Sequence, residues 1–374
     1  MVTRRSFVRQ LGTLTLTGPV LTEAALARQT HLARNDALPA SGMVWLGSNE
    51  NPAGTPPAAI DAMRRGVGDV GRYHFEELDG FVEAIAASEG VAQQQVISAP
   101  GSGDVIRTAL CAFASDTKPM ITASPSYDIV VKLAKRLGKR VIEIPLTPQW
   151  TYPVRELAAQ AQKSGGGLIY LVNPNNPTAS LTPTEDIDWL ATHLPADTVL
   201  LIDEAYLEFA EPALVESAIK HVRAGRNVVV SRTFSKIYGM AGARAGFGCA
   251  REPLILAMSD YMDNVIPVLA LRGAAAALGE KATLVPKRRE SNARSRAGLC
   301  QWLRQQGIPF IEPHANFVMI DTGRNVKPLG EAMLRKGVAV GRPFPPLDHM
   351  LRVTIGTDAQ MQRFRSVFEE ALRA

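Results

Sequence analysis

Cysteine is scarce in this chain: Cys111, Cys249 and Cys300 are the only three in 374 residues, and they lie far apart with no Cys-x-x-Cys spacing. That argues against a disulfide framework and a zinc site, so buried thiols and no bound metal are expected. Long apolar runs are missing too. No stretch approaches the roughly 20 residues that span a bilayer, so no membrane anchoring is expected. The excess of base over acid is small, a formal +5 from 41 Lys and Arg against 36 Asp and Glu. The basic residues are scattered, with no aromatic-interleaved patch, which argues against a nucleic-acid partner. Low-complexity tracts and internal repeats are absent. Gly239, Gly242, Gly246 and Gly248 lack the G-x-G-x-x-G spacing of a dinucleotide loop.

What is present is an ordinary globular composition, 46% hydrophobic and 21% charged, enough for a large core. Residues 1–27 read as an address rather than as fold. Thr3-Arg4-Arg5-Ser6-Phe7-Val8-Arg9 matches the twin-arginine export pattern, a mildly apolar 11–21 follows, and Ala25-Leu26-Ala27 supplies a small-x-small cleavage site. The expectation is a chain carried folded to the periplasm by the twin-arginine machinery, its mature form starting near Arg28.

Beyond that point, 28–57 reads as irregular, an arm crossing the body, with a helix from Pro57 to about Arg65. An amphipathic helix follows at 76–88, with Leu78, Phe81, Val82 and Ile85 on one face. Then strands and helices alternate: strand 96–99, helix 104–113, strand 120–123, helix 128–137, strand 141–144, strand 168–172, helix 185–193, and strands 198–202, 227–230 and 245–249. This is an α/β pattern, a mostly parallel sheet covered on both sides. The basic 281–304 reads as a solvated connecting helix. Strands at 316–321, 338–340 and 351–355 with helices 326–336 and from 358 make a smaller α+β unit. The expected divisions are 28–70 as an N-terminal arm packing with the small domain, 71–275 as a large domain, and 276–374 as connecting helix and small domain.

The chemistry gathers at strand ends, where open α/β sheets bind ligands. Ser231-Arg232-Thr233-Phe234-Ser235-Lys236 follows the run Val228-Val229-Val230, and Arg244 comes eight residues after Lys236. One amine thus sits among groups that bind oxyanions, Thr233, Ser235 and Arg244, which suits a phosphorylated aldehyde held as a Schiff base: pyridoxal phosphate. Gly101-Ser102-Gly103-Asp104 joins a strand to a helix and offers backbone N–H groups to the phosphate. Asp203 ends the apolar run Val199-Leu200-Leu201-Ile202, where a carboxylate needs a cation such as a protonated pyridine nitrogen. Asn176 and Tyr206 would meet the phenolic oxygen, and Tyr127 would lie against the ring.

These residues also carry a resemblance. Asn49-Glu50-Asn51-Pro52, Arg72-Tyr73, Pro174-Asn175-Asn176-Pro177-Thr178, Asp203-Glu204-Ala205-Tyr206, Ser235-Lys236 through Arg244, Ala315-Asn316-Phe317 and Leu351 through Thr357 span nearly the whole chain after residue 45. The chain resembles fold-type I, class I/II pyridoxal-phosphate aminotransferases, and within them is most similar to histidinol-phosphate aminotransferases. The resemblance implies a Schiff base at Lys236 and transfer of an amino group from an amino acid, or a histidinol-phosphate-like amine, to a 2-oxo acid. It places the substrate carboxylate on Arg352, with Asn51 and Arg342 on the substrate side. It also implies that Tyr73 reaches the cofactor phosphate of a second subunit, and hence a homodimer. Ala53 stands where such proteins usually carry tyrosine, and Gly341 where they carry arginine, with Arg342 one position late. Both departures fall where the substrate's distal group is handled. The other outcomes the sequence leaves open are a decarboxylase or lyase on the same fold, and a non-catalytic periplasmic binding protein.

Overall fold

The structure, a computed structural model, describes residues 42–373, so the expected export segment at 1–27 lies outside the described residues. Twelve strands are described: β1 (Val44–Leu46), β2 (Val96–Ala99), β3 (Met120–Ser124), β4 (Val141–Pro145), β5 (Gly167–Val172), β6 (Thr198–Asp203), β7 (Val228–Thr233), β8 (Gly246–Ala250), β9 (Phe310–Ile311), β10 (Phe317–Asp321), β11 (Val338–Val340) and β12 (Met350–Thr354). Seven of them form one sheet in the order β2-β8-β7-β6-β5-β3-β4.

Strands β5, β6 and β7 are buried at all six of their positions, as expected for strands covered on both faces. Their side chains alternate between two cores. Ile169, Leu171, Leu200, Ile202, Val228 and Val230 fill one; Leu168, Tyr170, Val172, Val199, Leu201 and Val229 fill the other. The pairs β3–β4, β3–β5, β5–β6 and β6–β7 are parallel. Strand β8 runs antiparallel to both β7 and β2, so β2 points the same way as the parallel strands. The loops after β2, β3, β5, β6 and β7 therefore open at one edge. Register aligns them closely: Val172 faces Asp203, and Asp203 faces Ser231.

A third core, including Leu46, Leu299, Val318, Ile320, Leu351, Val353, Phe364 and Phe368, lies among β1, β10, β11, β12 and helix Asp358–Arg373. Here β12, β10 and β9 form an antiparallel sheet, and β1 pairs in parallel with β11. This corrects the reading of 28–57 as wholly irregular. A three-residue strand whose partner lies at the other end of the chain leaves no local periodicity to read. Helix Val154–Lys163 also escaped, although Val154, Leu157, Ala158 and Ala161 form a buried stripe at helical spacing. Helix Lys281–Gln305 is not simply solvated, because Val285, Arg288, Asn292, Leu299, Cys300 and Leu303 are buried on it.

Candidate active site

The approach of β8 to the helix that follows β2 builds the first part of the site. Gly101 has φ +92°, and a Cβ there would lie 2.6 Å from Nη2 of Arg244. A Cβ on Gly246 would lie 2.5 Å from the amide nitrogen of Ser102. Only glycine at both positions lets the Arg244 guanidinium close over the N-terminus of helix Ser102–Phe113. Arg244 Nη1 donates to Ser235 Oγ at 3.3 Å and to the Ala241 carbonyl at 3.0 Å. Thr233 Oγ1 donates to Ser235 Oγ at 2.8 Å and accepts from the Ser235 amide at 3.1 Å. Ser102 and Gly103 open the helix behind Gly101, which offers no capping side chain. The helix start, Arg244, Thr233 and Ser235 thus form an anion cradle. Asp104 belongs to it only through its backbone, since its carboxylate holds Arg107 Nε at 3.0 Å.

Asp203 ends β6 and is 3% exposed. Oδ1 accepts from the Ala205 amide at 3.1 Å and Ser231 Oγ at 3.2 Å, while Oδ2 accepts from the Tyr170 hydroxyl at 3.4 Å. Among the described residues no cation lies within 4 Å of it. Burial accordingly pushes the carboxyl up to about 6, against the opposing pull of these hydrogen bonds. Behind it, buried Arg232 ties Glu204 (Nη2 to Oε2, 2.8 Å) to Glu208 (3.1 Å). That links the loop after β6 to β7 and so fixes Asp203 relative to Thr233.

Lys236, Tyr206, Asn176 and Arg352 converge next to Asp203. Lys236 Nζ donates to the Ser48 carbonyl at 3.2 Å and lies 5.6 Å from the centre of the Tyr206 ring. The Tyr206 hydroxyl accepts from Asn49 Nδ2 at 3.1 Å and from Asn176 Nδ2 at 3.4 Å. Asn176 Oδ1 in turn accepts from Arg352 Nη1 at 2.7 Å, and Arg352 Nη2 donates to the Gly47 carbonyl at 2.7 Å. Arg352 is 7% exposed, its Nε is buried without a partner, and no carboxylate among the described residues lies within 4 Å of it. Burial pulls this guanidinium down to about 10, still protonated at neutral pH. One hydrogen on each terminal nitrogen remains to grip an anion in parallel.

The other expected substrate residues stand differently. Arg342 Nη2 is held by Asp128 Oδ1, and its guanidinium carbon lies 4.2 Å from the centre of the Phe344 ring. Asn51 anchors the arm, with Nδ2 donating to the Ile237 carbonyl at 3.0 Å. Half-buried Tyr127 caps helix Asp128–Arg136, near enough to Arg352 and Tyr170 to act on both electrostatically. Tyr73 is not gathered with the rest: it is 74% exposed and stacks on Phe75 with ring centres 5.2 Å apart.

Four residues of the site were not singled out beforehand. Ser231 and Tyr170 bind Asp203; Ser231 opens the Ser231–Lys236 run, where the pattern assigns it no role, and Tyr170 sits within an apolar strand that no motif marks. Phe344 stacks 4.6 Å from the Arg352 guanidinium. Asn49, 1% exposed, binds Tyr206, Thr354 and Asn316 at once, and the run Asn49-Glu50-Asn51-Pro52 was its signal. Pyridoxal phosphate fits this donor set: a cradle that a Cβ would fill, a buried carboxylate in need of a cation, and an amine near enough to act on that carboxylate.

Comparison with known proteins agrees with that geometry. The model of the family "Aminotransferase class I and II" matches residues 41–368. A histidinol-phosphate aminotransferase of Nitrosospira multiformis is 32% identical over 344 residues, covering 90% of this chain and 85% of that protein. Among solved structures, a candidate histidinol-phosphate aminotransferase of Erwinia carotovora atroseptica superposes with TM-score 0.85 at 30% identity, covering 89% of this chain and 97% of that one. The histidinol-phosphate aminotransferase of Sinorhizobium meliloti, solved with pyridoxal-5'-phosphate, shares the fold with TM-score 0.83 at 24% identity, covering 100% and 98%.

Proposed function

The chain belongs to the class I and II aminotransferases, and from that premise we propose that it uses pyridoxal phosphate on Lys236 to move the amino group of an α-amino acid to a 2-oxo acid. The observation that carries this reading is Asp203, a buried carboxylate at the carboxyl edge of the sheet that has no cation within 4 Å among the described residues and feels the charge of Lys236 at longer range. When bound, pyridoxal phosphate supplies an aldehyde that condenses with amines and a pyridinium that withdraws electrons from the carbon bearing the amine.

The residues supply the rest. The Gly101–Gly103 helix start, Ser235 and Arg244 bind the phosphate. Asp203 holds the proton at the ring nitrogen, and Ser231 and Tyr170 hold Asp203. Asn176 and Tyr206 orient the ring through its oxygen. Arg352 binds the substrate carboxylate. Lys236 Nζ, when free, would take the proton from the substrate Cα and deliver it to the carbon that bore the aldehyde. The test is a half-reaction screen: amino acids are added to the loaded enzyme and the cofactor absorbance is followed. Conversion by at least one α-amino acid is expected, and conversion by none contradicts the reading. Histidinol phosphate remains the rival donor, favoured by the 32% identity to proteins of that name. It has no carboxylate, so its phosphate would have to take Arg352.

The proposed working unit is a homodimer in the periplasm. Supporting the dimer, Val67, Val70, Tyr73 and Phe75 are each more than half exposed over nine residues, an apolar surface that a second copy would cover. An active monomer by light scattering would contradict it. Supporting export, Arg4-Arg5 and Ala25-Leu26-Ala27 stand in the order an export signal requires. Replacing Arg4 and Arg5 by lysine should retain active, uncleaved protein in the cytoplasm; unmodified protein found there with 1–27 intact would contradict the address.

A further inference from the structure

Two arginines share one aromatic ring beside the site, and among the described residues only one of them is paired with a carboxylate. The Phe344 ring centre lies 4.6 Å from the guanidinium carbon of Arg352 and 4.2 Å from that of Arg342. Arg352 donates to two neutral oxygens, of Asn176 and Gly47. Arg342 instead binds Asp128 Oδ1 through Nη2 and the Pro343 carbonyl through Nη1 at 2.9 Å. Asp128 opens helix Asp128–Arg136 directly after Tyr127, and its Oδ2 accepts from Lys132 Nζ at 2.7 Å. Two cations against one ring repel each other; Asp128 offsets that repulsion by direct contact at Arg342 and only at longer range at Arg352.

The consequence concerns the second end of the substrate. With its carboxylate on Arg352, a substrate would have Arg342 nearby as a second cation, on the same Phe344 ring. A second anionic group that approached Arg342 would meet the Asp128 carboxylate already paired with it, fixed by its helix, and would have to displace it or bear its repulsion. An uncharged side chain requires no such displacement. We propose that Asp128 is a specificity-determining residue: by holding Arg342 it favours α-amino acids with uncharged side chains over dicarboxylic amino acids and phosphate monoesters. This deepens the aminotransferase reading and rests on it.

The test compares the near-isosteric glutamine and glutamate, and serine with O-phosphoserine, on the loaded enzyme, taking apparent Kd values from the half-reaction absorbance. Butyrate and glutarate, which do not react, give the same comparison by calorimetry without turnover. The wild type should bind the singly anionic member of each pair more tightly. In Asp128→Asn the ratio of dianion to monoanion Kd should fall about tenfold or more, the worth of one charge-assisted hydrogen bond. The double variant Asp128→Asn/Arg342→Gln should restore the wild-type ratio. Asp128→Ser, which also suits a helix start, serves if the asparagine variant does not fold. An unchanged ratio in the single variant, a gain that survives loss of Arg342, or a wild type that prefers glutamate overturns the role of Asp128. A wild type that reacts with none of the amino acids and binds neither carboxylate overturns the aminotransferase reading instead.

Discussion

Arg352 Nη1 donates to Oδ1 of Asn176 at 2.7 Å, while the amide nitrogen of the same Asn176 lies 3.4 Å from the Tyr206 hydroxyl. A single side-chain amide therefore spans the group that grips the substrate and the group that orients the cofactor ring. The two come from distant parts of the chain, β12 and the loop after β6, and meet because Gly47 and Asn49 of the arm bind both sides of the junction.

Replacing Arg352 by lysine removes the parallel pair of donors but keeps the charge. The Michaelis constant for amino acids should rise about ten- to hundredfold, with a much smaller change in cofactor affinity. Steady-state kinetics and cofactor titration separate the two. An unchanged Michaelis constant would place the substrate carboxylate elsewhere.

Asp203 predicts a trade between stability and activity. Its carboxyl is raised from 3.8 to about 6 on folding. Between those values the folded protein keeps a proton that the unfolded chain has lost, so the cofactor-free protein loses stability as pH rises through that window. Asp203→Asn should abolish this loss and make the cofactor-free protein more stable at pH 8, by on the order of 1–3 kcal/mol. The advantage should vanish near pH 4. Turnover should drop at least about a hundredfold, because an amide cannot stabilise a pyridinium as a carboxylate does. Thermal denaturation across pH 4–8 and kcat check both halves; equal stability at pH 8 or near-normal turnover would assign Asp203 a merely structural part.

Gly101→Ala tests the cradle. The added Cβ would meet Arg244 Nη2 at 2.6 Å and sit on a backbone with φ +92°, so the guanidinium must swing away. Cofactor affinity should fall about tenfold or more, the scale of one lost charge-assisted contact. Inorganic phosphate should protect the variant less than the wild type against thermal unfolding. Undiminished affinity would show that Arg244 is not a phosphate ligand.

The sheet and much of the site were legible because their signals are local. Val228-Val229-Val230 marks a buried strand wherever it occurs, and a lysine, an aspartate and an asparagine just after such runs fall on one edge by topology alone. What escaped depends on distant pairing. Strand β1 exists only through β11, Phe344 matters only because it lies against Arg352, and Arg342 offered itself as a substrate ligand until folding brought Asp128 to it. A sequence shows which charges are present; which of them neutralise each other is decided by the fold.

The identity of the covalent lysine tests the central claim most directly. Holoenzyme is reduced with borohydride, digested and mapped by mass spectrometry. A single pyridoxyl group on Lys236 is expected, with none in Lys236→Ala, which should stay folded because a loop amine bound to one carbonyl contributes little packing. A pyridoxyl group on any other lysine, or a variant still labelled in the absence of Lys236, would contradict the assignment of this site.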